Sequence, residues 1–447
     1  MQVICGVRRR IFALAWPAIC EMMLYMLLDF VDVAFVGRLG ARALAAVGLG
    51  AQIYFAVLFI FSALSTGATT LVARAIGAGD ERRAAEVAGR ALLLAFGVGV
   101  GVTILSCFFS EEMLMLFPFE PAVRKLAAVY IEAAGVSAVF SMVLFVSSGI
   151  FRGAGMTKVP MLVAAITNVV HIGADYVLIF GKFGFPALGV MGAGLANSLA
   201  QAFGCLVMLA ILGSGLTPLK IRFADVLNGS EGWPLTAKLI ALSVPAGIEE
   251  GLMDIGRIIG SYMLAGLGTV PYAAHQVAST AESLSFMPGY GFSVAATTLV
   301  GQSLGAKNPR QARQNGWETA KLAVFVMCGI ALIFLLFPTW IVGLFTRDRR
   351  VAEIASLCLR IAAFEQPTIA VDTVLAGALR GAGDTRTPML IATLSTWGVR
   401  IPLFYLSVHV FSYGLPAIWV ITVFDWLVRA LLVTYVFWRG KWQKLQL

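Results

Sequence analysis

Twelve stretches of this 447-residue chain are apolar over lengths that cross a lipid bilayer. They lie near 11–37, 48–74, 88–109, 127–150, 160–181 and 188–213, and again near 237–265, 271–301, 318–345, 353–378, 388–410 and 414–438. About 20 apolar residues cross the hydrocarbon as a helix. In lipid each backbone amide must find its partner inside the segment, which restricts such runs to helices or closed barrels. Runs of this length predict an all-α polytopic membrane protein with twelve transmembrane helices. Hydrophobic residues supply 59% of the chain and charged residues 13%, which excludes an ordinary soluble domain. The first run leads straight into the repeat described next, so it is expected to be a retained helix and not a cleaved signal peptide.

One offset of 228 residues relates the two halves of the chain. Pro17-Ala18 returns as Pro245-Ala246, and Glu21 as Glu249. TTLVARAIGA from Thr69 returns as TTLVGQSLGA from Thr297, and FRGAGMTKVPML from Phe151 as LRGAGDTRTPML from Leu379. At the last helix the offset slips to 225. A repeat this long is a bundle and not a solenoid unit, and an even number of helices makes the copies parallel. The expected organisation is a six-helix lobe at 1–213, a polar cytoplasmic linker at 214–235 and a second six-helix lobe at 236–447. Of the Lys and Arg residues, 20 fall at the chain ends and even-numbered loops and 8 at the odd-numbered loops. That bias places both termini in the cytoplasm. It also assigns the net charge of +9 to membrane topology, with no nucleic-acid partner.

Several features have bland explanations. Six cysteines show no metal-ligand spacing and are expected to act as small apolar residues. Asp80 and Asn308 have helix-capping positions, and the segments they open are expected to be short amphipathic helices at the cytoplasmic surface. Gly97, Gly99 and Gly101 lie inside an apolar run, where close helix packing explains them. HExxH, GxSxG and Walker-type patterns are missing, so no enzyme, cofactor or metal is expected.

The carboxylates inside the spans have no such explanation. Asp29 and Asp32 sit in the first apolar run, together with Glu21. An acid at mid-membrane costs about 2.5 to 3.5 kcal/mol on insertion scales, so its retention points to function. At about 100° per residue, the gap from Glu21 to Asp32 nearly closes three turns and puts both on one stripe. Glu249 and Glu250 are further acids without an assignable partner, as are Glu282, Glu365 and Asp372, while Asp254–Arg257 and Asp425–Arg429 have the spacing of intrahelical pairs. Met26 and Phe30 suit a surface that accepts varied lipophilic cations, because Met adapts its shape and aromatic faces attract cations. Glu21, Asp29, Glu249, Glu250, Met26 and Phe30 are the candidate cavity residues.

VDVAFVGRLG, the paired RGAG segments, DYVLIFGKFGFPALGVMGAGLAN and PGYGFSVAATTLVGQSLGA together resemble the MATE family, the multidrug and toxic compound extrusion transporters. The resemblance covers nearly the whole chain and is nearest to the prokaryotic branch named for DNA-damage-inducible members. It implies two lobes around a central cavity, in the plasma (inner) membrane, exporting small lipophilic or cationic molecules in exchange for protons or sodium ions, with lipid as the surrounding partner. It implies cation-coupling roles for Asp32, Asp175 and Asn197; the second-lobe acids of other branches do not transfer. Four residues before Asp175, where the family commonly has asparagine, stands His171.

Residues four apart share a helix face, so His171 can touch Asp175. Sodium prefers hard oxygen ligands, whereas a His–Asp pair offers a proton relay, so the expectation leans to proton coupling. Asp32 faces Gly260 in the second copy, so the acid is in one lobe only. The alternatives are a sodium-coupled exporter, a flippase for lipid-linked substrates, which would carry a more basic cavity, and a passive channel. A complete pair of repeats suggests a functional monomer.

Overall fold

A computed structural model describes residues 2–115, 120–214 and 232–445. Most of the expected linker, positions 215–231, lies outside the described residues, and 232–235 already belong to a helix. Among the described residues the chain is helical, with no strand. Its first half contains α1 (Gln2–Gly37), α2 (Ala41–Ser62), α3 (Leu64–Gly77), α4 (Glu81–Phe108), the short α5 (Ser110–Met115), α6 (Pro121–Gly135), α7 (Ala138–Gly153), α8 (Lys158–Phe180) and α9 (Val190–Gly213). The second half contains α10 (Gly232–Ala265), α11 (Thr269–Gly305), α12 (Pro309–Leu336), the short α13 (Pro338–Gly343), α14 (Arg349–Ala362), α15 (Gln366–Gly381), α16 (Arg386–Ser395), α17 (Ile401–Tyr405) and α18 (Leu415–Arg439). Two π-helical turns, Thr396–Arg400 and Leu406–Val410, join α16 through α17 into one span.

Eight helices are long and apolar enough to cross a membrane, and two bent pairs make ten. The bent pairs are α6 with α7, at 53°, and α14 with α15, at 51°. Pro367 opens α15, and a proline ring cannot continue the preceding helix. The remaining two, α10 and α11, run for 34 and 37 residues and complete the twelve-helix layout. The helix starts at Asp80 and Asn308 are capped as expected, with Asp80 accepting from Arg83 N at 2.9 Å and Asn308 from Gln311 N at 3.0 Å. They do not open separate amphipathic helices, however. Glu81 and Pro309 begin α4 and α12 themselves, because nothing in either first turn interrupts the hydrogen-bond ladder.

Contacts divide the chain into two compact units, Cys20–Gly247 and Met1–Ile19 with Ile248–Leu447. The first 19 residues thus pack with the second half, and 232–247 with the first. Hydrophobic pattern explains both assignments. Ile11, Leu14 and Ala15 are buried in one core with Phe292, Leu299 and Val374, and Arg8 reaches Glu318 at 3.2 Å. In the other unit Leu239 and Leu242 are buried, and Gly67 leaves room for Leu239 and Ser243.

The repeat is visible in side-chain detail within each unit. Thr69 Oγ1 donates to Gly149 O at 2.9 Å, and Thr297 Oγ1 to Gly377 O at 2.8 Å. A methyl group on Gly153 or Gly381 would strike the backbone of Thr69 or Thr297, so the glycine of each RGAG segment is set by α3–α7 and α11–α15 contact. On α4, Gly99 meets the Val139 backbone, whereas Gly97 and Gly101 have nothing within 4 Å; close packing explains only the first.

Candidate functional site

The α8 helix carries Asn168, His171 and Asp175 at spacings of three and four, which places them on one face. All three are buried. That face meets α1. Asn168 Nδ2 donates to Leu24 O at 2.7 Å, and about two turns further along α1 Asp32 approaches His171. His171 Nε2 lies 3.6 Å from Asp175 Oδ2 and 3.9 Å from Asp32 Oδ2. Both distances are just beyond a direct hydrogen bond. One ligand atom from each of the three falls within 4.8 Å of the others.

Asp175 is 1% exposed and His171 3%. Asp32 retains 32% of its side-chain exposure, so the group has an open edge and a buried interior. Neither carboxylate oxygen of Asp175 finds a hydrogen-bond donor among the described residues, nor does His171 Nδ1 find a partner. Leaving buried carboxylate oxygens unsatisfied is costly, and a proton or a cation received there would relieve that cost. Two oxygens and one imidazole nitrogen can hold a cation, but they offer fewer hard ligands than sodium prefers.

Asn197, the fourth expected member, makes a different contact. Its Nδ2 donates to Ser137 Oγ at 3.1 Å, and Ser137 Oγ is 2.6 Å from the Tyr54 hydroxyl. Tyr130, buried on α6, interacts electrostatically with Asp32, Asp175, Asp29 and Tyr54. Tyr54, Tyr130, Ser137 and Asn168 carry no charge, which is why the sequence did not single them out.

The candidate cavity residues divide. Asp29, Phe30 and Glu250 are exposed and Met26 is half-buried. Glu21 is buried and its Oε1 accepts from Arg152 Nη2 at 2.6 Å; Glu249 Oε1 accepts from Arg380 Nη2 at 2.7 Å. Each of these glutamates thus has an arginine partner within its own unit. Glu249 has the partner that sequence could not assign. Arg400 has one too, since its Nη2 is 2.7 Å from Asp425 Oδ2, beside the expected Asp425–Arg429 pair at 3.2 Å. Asp254 pairs with Arg257 as the spacing implied.

In the second unit the position matching Asp32 is Gly260, and the ring of Phe404 faces it: a Cβ there would lie 3.4 Å from that ring. The positions matching His171 and Asp175 are Val399 and Leu403. At the constant offset, then, none of the three matching positions carries an ionisable side chain, although Arg400 stands beside Val399.

Two six-helix repeats in one chain, one of them bringing Asp32, His171 and Asp175 together inside its spans, define a multi-pass membrane transporter. The MatE family model matches residues 17–177 and 245–406, two segments that begin at the offset of the internal repeat. The "Probable multidrug resistance protein NorM" of Thermotoga maritima is 33% identical over 450 residues, covering 98% of this chain and 94% of that protein. The "Multidrug resistance protein PmpM" of Pseudomonas aeruginosa is 28% identical over 400 residues, covering 89% and 83%. Among solved structures, one described as an outward-facing conformation of a multidrug resistance MATE family transporter superposes with a TM-score of 0.90 at 21% identity, covering 98% and 97% of the two chains. The chain belongs to the MATE family of transporters.

Proposed function

We propose that this protein is a cation-coupled antiporter that exports lipophilic, often cationic compounds by alternating access, with the proton as the coupling ion. The observation that carries the reading is the group formed by Asp32, His171 and Asp175, buried within membrane spans and without hydrogen-bond donors for Asp175. The multidrug names of the relatives supply the substrate class. Like charges close together in low dielectric favour sharing a proton. His171, beside both acids, can take part in that exchange, and it offers nitrogen where sodium would prefer oxygen. Proton entry from the exposed edge of Asp32 neutralises the group, loosens the packing of α1 on α8 and releases substrate outwards. In this reading the protein is a carrier and not an enzyme, works as a monomer in the plasma (inner) membrane, and has both termini in the cytoplasm.

The test is efflux of a fluorescent lipophilic cation from vesicles in which proton and sodium gradients are imposed separately. Export driven by the proton gradient and lost in Asp32→Asn is the expected outcome. Export driven by sodium alone overturns the choice of ion, and export that survives Asp32→Asn overturns the site.

A further inference from the structure

Glu21 and Glu249 stand 228 residues apart, and so do the arginines that bind them, Arg152 and Arg380. The two ion pairs use the same atoms at nearly the same distance, 2.6 and 2.7 Å. Each joins the first helix of a repeat to the end of its fourth span. Each also occupies the same place relative to a change of neighbourhood. α1 passes from one unit to the other between Ile19 and Cys20, and α10 between Gly247 and Ile248, again at the offset of 228. Both glutamates are the second residue beyond that passage, and both follow an in-helix proline, Pro17 or Pro245, which removes a backbone hydrogen bond one turn earlier.

The pairs recur at the constant offset, whereas the residues of the cation site do not. Asp32, His171 and Asp175 face Gly260, Val399 and Leu403 in the second copy, yet Glu249 and Arg380 keep the geometry of Glu21 and Arg152. Ion binding therefore does not explain the pairs. Helix geometry does. Eleven residues separate Glu21 from Asp32, three turns and roughly 20° more, so both lie on one stripe of α1. Holding Glu21 on Arg152 sets the rotation at which Asp32 is presented, and Asn168 on Leu24 O holds the same helix between those two points.

We propose that Glu21 and Arg152 are positioning residues for the cation site: their ion pair fixes the rotation of α1 that brings Asp32 to His171 and Asp175. Glu249 and Arg380 hold α10 in the same way, with Gly260 in the place of Asp32. This rests on the reading of Asp32 as the coupling carboxylate.

The duplication supplies a comparison, because a matching lesion can be made in the copy that carries Gly260 eleven residues along where the first carries Asp32, although Glu250 and Asp372 lie near the second pair. The full-length protein is reconstituted in vesicles as wild type, as Glu21→Gln with Arg152→Gln, and as Glu249→Gln with Arg380→Gln; neutralising both partners removes the two charges of each pair together. Export of the fluorescent cation is followed while external pH is stepped. The first double variant is expected to need about tenfold more external protons for half-maximal export, as misplaced reacting groups do. The second is expected to lose maximal rate while its half-maximal proton concentration stays within about twofold of wild type. Equal shifts in the two variants, or none in the first, overturn the proposal. If Asp32→Asn abolishes coupling while the first double variant matches wild type, only the positioning role fails; if Asp32→Asn leaves proton dependence unchanged, the underlying reading and the proposal fall together. Should the first double variant not fold, Arg152→Lys keeps the charge, loses the guanidinium fork and is expected to shift half-maximal export in the same direction, by less; an unchanged value there counts against the proposal.

Discussion

His171 is the residue that distinguishes this site. Its Nε2 faces two carboxylates while its Nδ1 has no partner among the described residues. His171→Asn adds an oxygen ligand to the group. The expected outcome is that a sodium gradient alone drives export in the variant, with proton-driven export reduced several-fold, measured in the same vesicles with each gradient imposed singly. The contact between His171 and Asp175 was legible because four residues is one helical turn. The Glu21–Arg152 contact was not read, since 131 residues separate the partners. A signal did exist: the same separation recurs for Glu249 and Arg380. A glutamate and an arginine duplicated at one offset are candidates for a duplicated bond.

At the scale of elements, helix contacts in this protein are set by small residues meeting backbone. Apolar helices in lipid gain little from burial against each other, so close approach must supply the attraction. Gly153→Ala and Gly99→Ala are each expected to lower thermal stability by about 1 to 3 kcal/mol, because the added methyl meets carbonyl or Cα atoms that no side-chain rotation can clear. Gly101→Ala has open space, and there the gain in helix propensity, about 0.8 to 1.0 kcal/mol, is expected to dominate and raise stability. Detergent-solubilised thermal unfolding checks all three. A composition-based reading treats these glycines alike, since each stands in an apolar run. Which of them faces a neighbour depends on the rotation of α4 and α7, and that rotation is a tertiary fact.

At the scale of the whole molecule, neither half of the chain contains a whole unit. The core holding Phe292 and Val374 takes Ile11 and Leu14 from the other end of the sequence, and residues 232–247 belong with the first unit. A chain opened within 215–231 is therefore expected to give two pieces that are each unstable alone, one lacking its eleventh-hour contribution from 232–247 and the other lacking 1–19. Co-expressed, the two pieces are expected to associate and recover export, checked by co-purification and by efflux; independent stability of either piece would contradict the unit assignment.

The number of spans, their division into parallel copies and the acids that have no place in lipid were all determined by the sequence itself. They rest on length, period and residue type, which are local properties or repeat at a constant offset. The tertiary structure alone decided which charges meet a partner. Glu21, Glu249 and Arg400 find distant partners, whereas Asp175 finds no donor. It also decided that each first helix serves both units. The reason is physical: in a membrane an apolar run specifies a helix almost without regard to its neighbours, but the pairing of two buried charges depends on the rotation and depth of two helices at once, and no single helix encodes that relation.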